Sequence, residues 1–419
     1  MATIKKIFSE EVLNSKGYGG VETTVILSND ITASSSSPSG TSKGTYEAHE
    51  IIDDKNKRYN GHGVLKAVEN VNKIIAPSLL GTDINNQKKI DNIMMELDGT
   101  KDKSRLGANA ILSVSQAVAK TGAKNSSLPL YLYINKLFSG NKTVKKNPTP
   151  LFVMIAGGKH AEGSIDFQEI LLIPSTSKTF EEKIETGVNI YHILEHKLLE
   201  LGLSTLTSIE GGFSPNFSNN IEALRLIKGV IRNSSYKLSI DVSLGIDAAS
   251  TSFYKEKQYL LKDKTTLYNL EDLIDLYQKL ISDFNITYLE DPFFEDDWSS
   301  WQKGFKKISV HSLIVGDDLT VTNPDRLKLA LNNNAINGII IKPNQIGTIT
   351  ETLEVVKMAR LNNLKVIISH RSGETMDDFI ADFAIGVGAD YVKFGAPARE
   401  RVVKYNRLLK IKRELDQNP

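Results

Sequence analysis

The sequence predicts an α/β protein in which a β/α barrel forms the C-terminal two thirds and a smaller α+β domain precedes it. Two observations carry this. In the later part of the chain, short apolar runs recur, each ending in polar or charged residues and followed by a helix-length stretch. The last of them are spaced roughly 25 residues apart, one βα unit, and about 250 residues suffice to close such a barrel. Ahead of them the pattern differs, and the polar segment from Ser139 to Pro148 separates the two styles. The predicted domains are therefore residues 1–138 and 139–419.

In the first domain, Gly20 to Leu27 alternates like a half-buried strand. Small residues follow from Ala33 to Gly44, and Ser34-Ser35-Ser36-Ser37 on its own reads as a flexible linker. Gly107 to Ala119 repeats Ala, Ile, Leu and Val at helical spacing. In the second domain the apolar runs are Leu171–Ile173, Leu238–Asp241, Leu244–Asp247, Ile286–Glu290, Leu313–Asp317, Gly338–Lys342, Val366–His370 and Tyr391–Lys393. They show no internal sequence repeat, which argues against a solenoid.

Composition narrows the function. The 419 residues are 40% hydrophobic and 24% charged, with a formal net charge of +1, so no overall field draws the chain to nucleic acid or an anionic membrane. Cysteine is absent, which excludes disulfides, thiolate metal sites and cysteine nucleophiles. No segment approaches the ~20 apolar residues of a membrane span, and no signal peptide follows Met1, so a cytoplasmic protein is expected.

The charges at the ends of the runs point to chemistry. Asp247, Glu290, Asp317, Lys342, His370 and Lys393 each close one of them. In a parallel barrel all C-terminal strand ends open onto one face, so these side chains converge. Three carboxylates from neighbouring strands form an oxygen cage suited to a hard divalent cation such as Mg²⁺, and without one they repel. Pro343 biases Lys342 towards an extended backbone, and Pro292 does the same for Asp291. A lysine beside a cation and other basic groups should have a depressed pKa, as a general base requires. Any one of these residues alone reads as a helix cap or a solvated loop; six together do not. His160 alone reads as a surface loop residue. His192 and His196 have i, i+4 metal spacing but no third ligand, and read as ordinary helix positions.

Several segments resemble the signatures of the enolase family. They include Pro38-Ser39-Gly40-Thr41-Ser42, Leu97-Asp98-Gly99-Thr100, Gln168-Glu169, Glu210-Gly211-Gly212-Phe213 and Glu290-Asp291-Pro292-Phe293. Further along stand Gly316-Asp317-Asp318-Leu319-Thr320, Lys342-Pro343-Asn344-Gln345-Ile346-Gly347, Ser369-His370-Arg371-Ser372-Gly373 and Gly395-Ala396-Pro397-Ala398-Arg399. The resemblance runs in order through both predicted domains. It implies an enolase-type TIM-like barrel and a glycolytic lyase that interconverts 2-phospho-D-glycerate and phosphoenolpyruvate. It also implies two Mg²⁺ per site, one held by Asp247, Glu290 and Asp317, the second arriving with substrate and joined by Ser42. By the same resemblance Lys342 is the base at C2, Glu210 with Glu169 helps the C3 hydroxyl leave, and His160 closes over the site. Arg371 and Ser372 hold phosphate, His370 lines that side, and Lys393 holds the carboxylate. Glu210 can act as an acid only if its surroundings keep it protonated.

The chain departs from the family pattern at Asn14–Gly20, where Lys16 replaces the usual Arg and Tyr18-Gly19 replaces Asn-Pro. Lys43 replaces a common Thr, Ala156 a usual Asn and Ile209 a usual Asp. Two rival readings follow: an enolase-fold dehydratase acting on a phosphonate analogue, and a protein retained mainly as a binding surface or receptor. The family implies a homodimer. Lys16 facing Lys412 or Arg413 across it would weaken the pairing.

Overall fold

The computed structural model describes residues 2–40, 44–54, 57–140, 147–262 and 267–417. The first domain opens with an antiparallel meander of β1 (Ile4–Leu13), β2 (Gly19–Leu27) and β3 (Thr32–Ser37), in that order across the sheet. Along β2, Val21, Thr23, Val25 and Leu27 point inward and are fully buried, the period-two pattern of a one-faced sheet. The four serines belong to β3 and not to a linker. Their backbone pairs with β2, and Ser35 Oγ donates to Asp377 of the barrel domain at 2.7 Å. Serine propensity loses here to ladder pairing and a buried carboxylate.

Helices α1 (Leu65–Asn70), α2 (Ala76–Leu79), α3 (Gln87–Asp98), α4 (Ala108–Asn125) and α5 (Leu130–Ser139) complete the domain. Helix α4 is buried on nearly every side because it packs between β2 and β3 on one face and the barrel domain on the other. Its small residues allow that close approach. Gly140 ends α5 in the left-handed conformation, φ 73°, and the following barrel strand begins at Thr149.

The barrel strands are β4 (Thr149–Ala156), β5 (Glu169–Pro174), β6 (Val242–Asp247), β9 (Ile286–Glu290), β10 (Leu313–Gly316), β11 (Gly338–Ile341), β12 (Lys365–Ser369) and β13 (Tyr391–Gly395). A small hairpin, β7 (Tyr254–Lys255) and β8 (Gln258–Tyr259), lies outside it. The barrel closes in the order β10-β11-β12-β13-β4-β5-β6-β9. It is not wholly parallel: β5 runs antiparallel to both β4 and β6. The connection from β4 to β5 carries no crossover helix, so the two form a hairpin, and the start of β5 lies on the rim where the other strands end. Strand β4, buried throughout, has no counterpart among the runs singled out in the sequence. Leu238–Asp241 is a turn and not a strand: Ser239 has φ 73° and Ile240 is 66% exposed.

Leu151, Val153, Leu171, Ile173, Tyr288, Val315, Ile340 and Ile367 fill the barrel interior, while the opposite strand faces pack on the helices. Burial on both faces explains why these strands read as continuous apolar runs. The outer layer contains α6 (Phe180–Glu200), α7 (Asn220–Arg232), α8 (Leu270–Phe284), α9 (Trp298–Ile308) and α10 (Pro324–Asn332). It continues with α11 (Ile349–Leu361), α12 (Phe379–Gly386) and α13 (Val402–Gln417). Thr179 with Glu182 and Asn269 with Asp272 form capping boxes that set where α6 and α8 begin. His192 and His196 are exposed on α6, and His192 pairs with Glu195.

One buried carboxylate pins the domains together. Asp91 of α3 accepts from Thr350 N (3.0 Å) and Thr350 Oγ1 (2.6 Å) at the start of α11, and from Ser115 Oγ (2.7 Å) and Gln87 Nε2 (3.1 Å). Asp91→Ala strands several buried donors, each costing about 1–3 kcal/mol. The expected loss is about 3 kcal/mol, read as a lowered urea midpoint; an unchanged midpoint would show that the pin contributes nothing.

Candidate active site

The site lies on the rim where β6 and β9–β13 end and β5 begins. Asp247 and Glu290 are the last residues of β6 and β9, Asp317 follows β10, Lys342 follows β11 and His370 follows β12. Lys393 lies within β13 instead of at its end. Glu169 opens the antiparallel β5, opposite Asp247 in register. One cavity is lined by His160, Glu169, Glu210, Asp317, Lys342, His370, Arg371, Ser372 and Lys393. Ser42 and Lys43 lie outside the described residues.

Lysines hold the acidic strand ends together. Lys393 Nζ donates to Asp247 Oδ2 at 2.8 Å and to both Glu290 oxygens at 2.9 Å, and lies 3.0 Å from Glu169 Oε2. Burial alone would lower the Lys393 pKa, but Asp247, Glu169 and Glu290 raise it well above the usual lysine range. Glu290 is pushed up by burial and by Asp247 beside it. Asp317, which burial would raise, is held below its ordinary value by Lys342, whose ammonium donates to Asp317 Oδ2. The same contact reverses the expectation for Lys342. Burial, Arg371 and Lys393 all lower its pKa, yet Asp317 outweighs them and holds it above the usual value.

The carboxylates fit a hard cation. Asp247 Oδ1 is buried without a hydrogen-bond partner, and crowding keeps Glu290 from ionising freely, so added positive charge would be welcome. The groups whose ligand atoms come within 4.8 Å of one another are nevertheless Asp291–Asp317–Asp318 and His160–Glu169–Glu210. Asp247, Glu290 and Asp317 are not drawn that close as a set, since Lys393 and Lys342 occupy their oxygens. Asp291 is committed elsewhere, accepting from Asp317 N (3.0 Å) and Asp318 N (2.7 Å). Those bonds hold it at φ 43°, not in the extended conformation that Pro292 favours. Lys342 is extended as expected, with φ −129° and ψ 104°.

On the other wall, Glu210 meets two histidines. His370 Nε2 lies 3.2 Å from Glu210 Oε2; His160 Nδ1 lies 3.7 Å from the same oxygen and 3.4 Å from Glu169 Oε1. Gly395 at φ 89° makes room: a Cβ there would meet the Glu210 carbonyl at 2.8 Å. Burial would raise Glu210, but His160 and His370 pull it well below the carboxylate range. Burial and Glu210 push Glu169 up to about 7 despite Lys393. The two neighbouring carboxyls are thus pushed in opposite directions, Glu169 up and Glu210 down, so the shift that favours a protonated acid falls on Glu169.

Arg371 is buried and held by Glu47, through NH1 to Oε2 at 2.8 Å and NH2 to Oε1 at 3.3 Å, and by Asn344 Oδ1 at 3.1 Å. Asn344 Nδ2 in turn donates to the buried Glu50 at 3.0 Å. Glu47, Asp318 and Ser369 also line the cavity, as does Gln168, which donates to Asp247 at 3.0 Å. Sequence reasoning assigned none of these a role. Asp318 was adjacent to a chosen ligand and Gln168 to Glu169, whereas Glu47 gave no signal because it reaches the barrel from the other domain. Of the departures, Ile209 still gives its carbonyl to Arg401 NH2 (3.0 Å), and Ala156 N still donates to Phe213 O (2.9 Å).

Comparison with known proteins assigns both parts of the chain to one family. Residues 4–134 match the family described as "Enolase, N-terminal domain" and residues 145–419 match "Enolase, C-terminal TIM barrel domain". The enolase of Ehrlichia chaffeensis (strain Arkansas) is 42% identical over 414 residues, covering 99% of this chain and 97% of its own. That of Ehrlichia canis (strain Jake) is 42% identical over 415 residues, with the same coverage. The chain therefore belongs to the enolase family, and with it to the hydro-lyases of the phosphopyruvate hydratase type.

Proposed function

We propose that this protein dehydrates 2-phospho-D-glycerate reversibly to phosphoenolpyruvate, in glycolysis and gluconeogenesis in the cytoplasm. The observation that carries the reading is one cavity in which Lys342 meets the acidic strand ends on one side and Glu169 and Glu210 meet His160 and His370 on the other. Lys342 takes the C2 proton. The opposite wall, Glu210 with Glu169 and His160, assists departure of the C3 hydroxyl, and the raised pKa of Glu169 favours that residue as the holder of the proton. Arg371, with Ser372 and His370 beside it, receives the phosphate; its planar fork suits that anion. Lys393 faces the substrate carboxylate.

Asp247, Glu290 and Asp317 are the residues to hold Mg²⁺, with Ser42 joining a second ion brought by substrate. Bound Mg²⁺ supplies positive charge where the substrate carboxylate gains negative charge, an effect of several kcal/mol. With Asp317 committed to a cation, Lys342 would lose the partner that holds its pKa up. No described helix is long and apolar enough to cross a membrane. The proposed domain division stays at 138/139. A pure binding role is disfavoured by the proton-handling groups gathered in one cavity, and a phosphonate substrate is not favoured by the relatives, which are enolases. The test is an absorbance assay for phosphoenolpyruvate formed from 2-phosphoglycerate, with and without Mg²⁺. No product in Mg²⁺ would overturn the proposal.

We also propose a homodimer. Lys412 is paired with Asp416 on its own helix, and the half-buried Lys16, its pKa lowered by burial, is drawn back up by Glu50. Part of the positive charge thought to oppose across the interface is thus neutralised within the chain. The dimer is expected to be weaker than usual and to show a salt-dependent monomer fraction by sedimentation at nanomolar protein. A tight dimer that ignores salt would contradict this.

A further inference from the structure

The cavity described above leaves out one buried cation that touches both of its loops. Arg401, at the entry to α13, is fully buried, and no part of it lines the cavity. Its NH1 donates to the Arg371 carbonyl at 2.7 Å and faces His370 Nδ1 at 3.1 Å. Its NH2 donates to the Ser372 carbonyl at 2.7 Å and to the Ile209 carbonyl at 3.0 Å. One guanidinium therefore ties the segment before Glu210 to the segment carrying His370, Arg371 and Ser372.

The contact with His370 has a consequence for proton placement. A guanidinium offers only donors and does not deprotonate, so the ring nitrogen facing it must be an acceptor. His370 Nδ1 then carries no proton, the ring is neutral, and the hydrogen is on Nε2. Nε2 lies 3.2 Å from Glu210 Oε2, so it donates there and that oxygen accepts. We infer that Arg401 is a positioning residue that fixes the tautomer of His370, so that its Nε2–H is presented to Glu210 Oε2. Besides Glu210 and Arg401, Glu374 acts on His370; Glu210 is also faced by His160 and Glu169. Burial pushes the His370 pKa down to about 4, in line with a neutral ring at neutral pH.

This inference rests on reading Glu169 and Glu210 as the proton-handling pair, but its test does not need turnover. The chain has 7 histidines, so selective ¹⁵N-histidine labelling of the full-length protein in Mg²⁺ buffer gives a short spectrum, with His370 assigned by loss of its signals in His370→Gln. The expected result for wild type at pH 7 is a neutral ring with hydrogen on Nε2. A cationic ring, or hydrogen on Nδ1, overturns the inference. Arg401→Met is expected to let the tautomers mix and to lower kcat about 100-fold, the scale of a misplaced acid–base group. Arg401→Lys retains a donor, and should keep the Nε2–H form and at least a tenth of the activity. A folded Arg401→Met protein with an unchanged His370 signal overturns the inference. If that variant does not fold, the wild-type spectrum decides alone. A wild-type protein showing the expected tautomer but no lyase activity would sink the proposed function and leave the role of Arg401 standing.

Discussion

Lys342→Ala is expected to lower turnover by about 10²–10⁴-fold, the contribution of a positioned general base, while substrate and metal still bind. The residue is aimed with care. Its N–H donates to Thr322 Oγ1 at 2.9 Å, Pro343 follows it, and its extended backbone sends the ammonium to Asp317. The side chain is half-buried, and the one other lysine among the described residues lining the cavity, Lys393, sits in β13 against Asp247, Glu290 and Glu169 and not against Asp317. Removal also leaves Asp317 short of its cation partner. Uncompensated buried charge costs about 3–5 kcal/mol, so the variant should be destabilised in chelator and recover when Mg²⁺ takes the lysine's place. Turnover, calorimetric Mg²⁺ binding and thermal melts read these three effects separately. More than a tenth of wild-type activity would rule Lys342 out as the base.

Chelation is the second large effect: excess chelator should abolish turnover, and added Mg²⁺ should restore it. Asp247, Glu290 and Asp317 are crowded into one buried wall, and Lys342 and Lys393 are the cations that balance them. Neither lysine can hold the acids together and also serve the substrate. A divalent cation on the carboxylates frees both. Asp317→Asn keeps the shape and the hydrogen bond from Gln345 Nε2 (3.2 Å) possible, yet removes the charge. It should weaken Mg²⁺ binding at least ~10-fold, the scale seen when even outer-shell partners of a metal are lost. Undiminished turnover in chelator is incompatible with this chemistry.

The barrel was legible because parallel strands buried on both faces leave continuous apolar runs with charges at their ends, as at Ile286–Glu290 and Gly338–Lys342. Leu238–Asp241 has the same local composition, but tertiary context makes it a turn. The antiparallel hairpin of β4 and β5 was hidden, since a missing helix between two strands is a property of the connection and leaves no mark on the strands themselves. It matters, because it delivers Glu169 from a strand start to the rim. That charged strand ends would gather at the barrel rim was readable; the contacts that set their charges were not. The direction of the Lys342 shift depends chiefly on its contact with Asp317, and the tautomer of His370 depends on Arg401 behind it. Glu47 and Asn344 escaped notice because what they do, holding Arg371, is visible only after two distant segments meet.

The most direct test of the central claim follows the C2 hydrogen of 2-phosphoglycerate by proton NMR in D₂O, with Mg²⁺ and either wild-type protein or Lys342→Ala. Wild type should exchange that hydrogen and form phosphoenolpyruvate, and Lys342→Ala should do neither at a detectable rate. Exchange at the wild-type rate in the folded Lys342→Ala protein would contradict the account, for it would place the base elsewhere in the cavity.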